Sequence, residues 1–272
     1  MNPALRFIDY GFTYSSGDAP ALDHVNLDLV PGRITSVIAA QGAGKTTLLR
    51  AAAGLLGEIY QGEVRGSLQN GGVADAPGVT SIQSGPAACA AFFDGYVQVT
   101  LAVETVREEI GLPLFASGVT GAARDERAIA VARELGIEHL LDRQVTELSG
   151  GEEKLVGIAA ALVPDALTYV LDEPFEQLDV SHLAAVIRAA KRRARAGRLV
   201  LVATGALDIA LNIADAAIVF ENGRWTVIES PSYAAAARIA SLGDSPVMRF
   251  LAEHRAPPDG VRRFRDAVQR AS

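Results

Sequence analysis

The chain has 272 residues, 49% of them hydrophobic, with a formal net charge of −7. This is enough apolar material for one large domain, or for one domain with an appendage, while the acidic balance argues against nucleic acid as a partner, since such binders carry a basic face. A single cysteine, Cys89, excludes a disulfide framework, fits a reducing cytosol and reads as a small apolar residue in an alanine-rich stretch.

No N-terminal stretch combines a basic start, an apolar run and a cleavage site, so no secretory signal is expected. The longest apolar run, LVGIAAALV at 155–163, is less than half of the roughly 20 residues that span a bilayer. No transmembrane segment of the chain's own is expected, and any membrane role must go through a partner.

From Leu5 to Gly32, apolar and polar residues alternate around a Ser/Gly/Asp/Pro loop, which predicts antiparallel strands. The run ITSVIA at 34–39 predicts a strand and KTTLLRAAAGLL a helix. Between them lies AAQGAGKTT at 39–47, a phosphate-binding loop except at its first position, where Ala39 stands for glycine. Such a loop aims consecutive backbone N–H groups and a helix N-terminus at one point, where phosphate oxygens are favoured. Gln41, Gly42, Ala43, Gly44, Lys45, Thr46 and Thr47 are therefore candidate nucleotide-binding residues, with Lys45 on the β- and γ-phosphates and the Thr46 hydroxyl on Mg²⁺. Ala39 only turns the chain out of the strand, and is tolerated if its φ is negative.

GEVRGSL at 62–68 and GVTSIQ at 78–83 read as further strands, separated by a glycine-rich stretch. Helical periodicity follows from Thr105 to Leu141. In ELSGGEEK at 147–154, Ser149 is placed to cap a helix whose N-terminus could bind a second phosphate. LTYVLDEP and RLVLVAT read as strands each preceded by a helix, the pattern of a parallel α/β sheet. Asp172 and Glu173 close the first of these, where carboxylates can hold Mg²⁺ and activate water. Beyond Gly223 a short hairpin, WTVIES, precedes an alanine-rich segment and a tail with VRRFRDAVQR that reads as a solvated helix. No internal repeat is visible.

In this order and spacing, AAQGAGKTT, LSGGE and LTYVLDEP resemble the ATP-binding cassette (ABC) ATPases, over about Leu5 to Glu229. The resemblance implies a P-loop NTPase of ABC type: an α/β fold with a RecA-like parallel core sheet, an antiparallel β subdomain and a helical subdomain. Residues 1–230 would form the nucleotide-binding domain, with the helical subdomain at about 100–162 and a helical tail at 231–272. It implies ATP and Mg²⁺ as cofactors and a head-to-tail dimer with a second ABC ATPase subunit. Ser149, Gly150, Gly151 and Glu152 would then serve the ATP of the opposite chain. Tyr14 matches the aromatic that stacks on adenine, Gln83 the glutamine that contacts Mg²⁺ and senses the transmembrane partner, and Asp179 an aspartate that contacts the opposite chain; Gln98 is a weaker match than Gln83. Thr46, Gln83 and Asp172 would hold the metal, with Lys45 and Glu173 catalytic. The layout is most similar to the cobalt-type and energy-coupling factor importers, which implies a polytopic transmembrane partner and a peripheral place on the cytoplasmic face of the cell membrane.

Two departures qualify the expected ATPase. Where the family has a histidine after the last core strand, VATGALD carries Gly205, and none of His24, His139, His182 or His254 lies at that distance. The imidazole would bridge the γ-phosphate and the catalytic carboxylate, so hydrolysis at this chain's own site is expected to be slow. The signature helix also has Leu155 where the family has arginine.

Overall fold

A computed structural model describes residues 4–70, 73–74, 90–95 and 103–232. Gln83, Gln98, Cys89, the expected strand at 78–83 and the tail from 233 onward lie outside the described residues.

Strands β1 (Leu5–Tyr14) and β2 (Leu22–Leu29) pair antiparallel, as their alternation predicts. Leu22, Val25, Leu27 and Leu29 are buried, and the residues between them are exposed. A shift in register near Asp9 and His24, both at positive φ, accounts for the doubled gap between Leu22 and Val25. Strand β3 (Arg33–Ile38) leads through the glycine loop into α1 (Lys45–Ala52). Strand β4 (Gly62–Asn70) returns antiparallel to β1, and β5 (Val73–Ala74) extends that sheet to the order β2-β1-β4-β5.

Next come β6 (Ala90–Phe93), α2 (Val106–Gly111), α3 (Gly121–Leu135), α4 (Gly150–Leu162), β7 (Thr168–Asp172), α5 (Val180–Arg195), β8 (Leu199–Ala203), α6 (Leu207–Ile213), β9 (Ala216–Glu221) and β10 (Arg224–Glu229). A second sheet has the order β10-β9-β3-β8-β7-β6, parallel except for the β9–β10 hairpin. This is the α/β architecture expected, with β7 and β8 each following a helix.

The central strands β7 and β8 are buried on both faces, which is why they read as continuous apolar runs. Leu199, Leu201 and Ala203 pack toward α1 and the antiparallel sheet, whereas Val200 and Val202 pack toward α4 and α5. Val106, Ile110, Ala128, Ala132 and Val156 join α2, α3 and α4 in that second cluster.

The structure departs from the expected elements at two places. The helical stretch expected from Thr105 to Leu141 is broken by a 3₁₀ turn at Leu112–Ser117 and ends at Gly136, whose φ of 78° supplies the left-handed residue that stops α3. The hairpin does not begin beyond Gly223 but turns there. Asn222 and Gly223, at φ of 53° and 77°, make the two-residue turn after β9, a strand that alternation alone does not reveal.

Candidate nucleotide-binding site

Register places the chemistry on one edge of the parallel sheet. Val37 of β3 and Asp172 of β7 both align with Ala203 of β8, and Leu171 aligns with Phe93 of β6. The residues that follow these strands therefore emerge side by side at their carboxyl ends, where open α/β sheets bind ligands. A cleft of about 930 Å³ opens there, lined by the loop and α1 (Gln41, Gly42, Gly44, Lys45, Thr46, Thr47), by Asp94 and Gly95 after β6, and by Asp172 and Glu173. Gly150, Glu153 and Lys154 of α4 form another wall. A smaller cavity of about 410 Å³ lies at the opposite, amino end of β3, beside Gly32 and Ile34, away from these groups.

The loop needs its glycines for different reasons. Gly44 has φ of 93°, and a Cβ there would come within 2.6 Å of the Ala21 carbonyl oxygen. Gly42, at φ of 80°, faces open space, so its requirement is conformational. Ala39 is not among the described residues with positive φ and is buried in the core, so the departure at the motif's first position costs no backbone strain. Lys45 Nζ donates to the carbonyls of Ala39 (2.8 Å) and Ala40 (3.3 Å), which hold the ammonium over the loop.

Asp172 is buried and accepts a hydrogen bond from the Thr46 side chain. Burial pushes its pKa up, against that hydrogen bond and the cations Arg50 and Lys45, while Asp94 pushes the same way as burial. A buried carboxylate beside a hydroxyl is a hard-oxygen donor set of the kind that suits Mg²⁺, so Thr46 and Asp172 fit the ion.

Glu173 takes φ of 46°, a left-handed conformation costly for a residue with a Cβ. Its own N–H donates to the Ala203 carbonyl at 2.8 Å, and its Oε2 accepts from the Gly205 N–H at 2.9 Å. The backbone of the residue that stands in the histidine's place thus grips the carboxylate directly. Burial raises the Glu173 pKa, opposed by the Gly205 N–H and the Thr204 hydroxyl, with Glu176 and Asp172 raising it further.

Ser149 caps α4 as expected, in a reciprocal arrangement with Glu152. The Glu152 N–H reaches Ser149 Oγ at 3.4 Å, and Glu152 Oε2 accepts from the Ser149 N–H at 2.8 Å. Those bonds and Arg143 hold the Glu152 carboxyl below the usual range. Ser149 and Gly150 are exposed, and a Cβ built on Gly151 would meet only the Gln177 carbonyl at 3.7 Å. Asp179 caps α5, accepting from the N–H groups of Ser181 (2.8 Å) and His182 (2.9 Å), beside an 82%-exposed Val180.

Tyr14 stands outside the cleft lining. Its ring packs edge-on against Phe12 at 4.8 Å, its hydroxyl lies 3.2 Å from Thr47 Oγ1, and Arg50 donates to that hydroxyl at 3.3 Å. None of the described histidines lines the cleft. Asp94, Thr204 and Lys154 escaped the sequence reading, although FFDG carries the same signal as LDEP, an apolar run ending in an acid.

Strand, glycine loop and helix beside two acids at a strand end define the nucleotide-binding domain of a P-loop NTPase. The ABC transporter family model matches residues 22–176, more than half of the chain, and the chain belongs to that family. It is 30% identical to the sn-glycerol-3-phosphate import ATP-binding protein UgpC 1 of Rhizobium johnstonii, over 89% of this chain and 61% of that protein. It is also 30% identical to the methionine import ATP-binding protein MetN 2 of Burkholderia mallei, over 90% and 62% respectively. The chain spans about half the length of the curated relatives it matches.

Among solved structures, cbiO1 from Clostridium perfringens, part of the ABC transporter complex cbiONQ, superposes with a TM-score of 0.68 at 22% identity, covering 93% of this chain and 96% of that one. An ATP-binding cassette solved as a dimer in a post-hydrolysis state, bound to ADP and Pi, also gives 0.68 at 22% identity, over 84% and 99%. These two likenesses show the fold.

Proposed function

We propose that this chain is the ATP-binding and ATP-hydrolysing subunit of a membrane importer of the cobalt or energy-coupling factor type. The observation that carries the reading is the single cleft in which Lys45, Thr46, Asp172 and Glu173 converge at the carboxyl edge of the sheet. Its backbone N–H groups and Lys45 bind the triphosphate, and Thr46 and Asp172 hold Mg²⁺. When bound, the ion neutralises charge on the transferring phosphoryl group. Glu173 accepts the proton of the attacking water, a task suited to a carboxylate whose burial raises its basicity.

The relatives named as import ATP-binding proteins and the neighbour that belongs to a transporter complex support the assignment to transport. No helix among the described residues is long and apolar enough to cross a membrane, so membrane coupling passes through a polytopic partner at the cytoplasmic face. In our reading the chain works head to tail with a second ATPase. Its exposed Ser149 and Gly150, with the half-buried Gly151, complete the partner's site, while its own site, lacking an imidazole at Gly205, turns over slowly.

Replacement of the loop cation tests the assignment. In titration calorimetry with MgATP, Lys45→Ala should lower affinity by at least about 10-fold, the loss of one charge-assisted phosphate contact. An unchanged isotherm contradicts the loop's role.

A further inference from the structure

Lys154 sits one turn into α4 with only 6% of its surface exposed, yet it lines the nucleotide cleft. Among the described residues its ammonium makes no hydrogen bond and no ion pair. Two carboxylates face it electrostatically, Glu176 more strongly than Glu173. Glu173 is already committed to the Gly205 N–H, and Glu176 is exposed to water. Burial lowers the Lys154 pKa, so the ammonium is partly desolvated at the cleft wall, and an anion entering the same cleft offsets that cost.

We propose that Lys154 is a second phosphate-binding cation of this chain's own site and contacts the terminal phosphate of the bound nucleoside triphosphate. The inference rests on the nucleotide-site reading above. Lys45 approaches from the loop, whereas Lys154 approaches from α4, on the side of the cleft where Glu173 stands and where no described histidine reaches. The same helix would thus have two targets: its exposed N-terminus meets the partner's nucleotide, and its buried second turn meets the chain's own. Because the contact is to the terminal phosphate, Lys154 distinguishes triphosphate from diphosphate.

Calorimetry on the full chain with Mg-adenylyl imidodiphosphate, which resists hydrolysis, and with MgADP separates these effects. Lys154→Met keeps the apolar stem that burial requires and removes the charge. It should weaken the triphosphate analogue by at least about 10-fold and change ADP by less than about twofold, while Lys154→Arg retains most of the discrimination. Equal losses for both nucleotides, or no loss for either, overturn the proposal.

Glu176→Gln, at an exposed position, offers an independent reading should the buried variant fail to fold. Removing a competing carboxylate should tighten the analogue about two- to threefold and leave ADP unchanged, since an exposed pair contributes little; weaker analogue binding, or no change, overturns the proposal. If the unaltered chain binds neither nucleotide, the nucleotide-site reading fails as a whole, whereas equal effects on the two nucleotides sink Lys154 alone.

Discussion

Glu173 and Gly205 together define what this site can do. The carboxylate is retained, but its Oε2 is held by a backbone N–H at 2.9 Å where a side-chain imidazole is expected. The backbone admits a side chain there: a Cβ built on Gly205 meets only Glu173 Oε1, at 3.8 Å, an ordinary contact, and Gly205 is not at positive φ. Gly205→His should therefore fold normally. It should raise phosphate release at this chain's own site by about 10²-fold, the lower end of what a positioned acid–base group supplies. Unchanged release from a folded, ATP-binding variant would mean that Glu173 is not aimed at the attacking water. The motif residues and the missing histidine were legible because each is a residue type at a fixed spacing. Lys154 was not, since a lysine in the second turn of a helix reads as solvated until packing buries it against the cleft.

Capping governs the elements that frame the site. Ser149 was readable as the cap of α4 because a Ser followed three residues later by Glu before an apolar run carries its own signature. The cap of α5 is Asp179, whose carboxyl is held well below its ordinary value, first by the Ser181 hydroxyl, then by the His182 N–H and imidazole. A carboxylate depressed in the folded state contributes stability above its unfolded pKa, near 3.9, and loses that contribution as pH falls through the folded value. Asp179→Asn should therefore lower the melting temperature at pH 7, and the gap to the unaltered chain should narrow below about pH 4. A gap independent of pH would show that the charge plays no part. Elements without local signatures were harder to read. Strand β9 owes its place to pairing with β3, and β6 is recognised by its register with β7, so Asp94 could not be aligned with Asp172 until both strands were in one sheet. Gly136 ended α3 although the apolar periodicity ran on to Leu141, because one left-handed residue overrides a helical pattern.

At the scale of the whole molecule, the order of phosphate loop, LSGGE and LTYVLDEP disclosed the family, and the sheet order then explains how segments more than a hundred residues apart share one cleft. The transport reading predicts that the chain expressed alone is not retained in washed membranes and is recovered there when its polytopic partner is co-expressed. Fractionation followed by immunoblotting checks this, and retention of the chain alone would contradict it. The central claim is asymmetry: an exposed signature that serves a partner's ATP, combined with an own site that lacks its imidazole. Phosphate release by the assembled complex at saturating ATP and Mg²⁺, measured side by side for Ser149→Arg and Glu173→Gln, tests it most directly. Ser149→Arg, which drives a bulky cation into the partner's phosphate pocket, should remove most of the turnover and Glu173→Gln much less; if Glu173→Gln is the more damaging change, the asymmetric account is wrong.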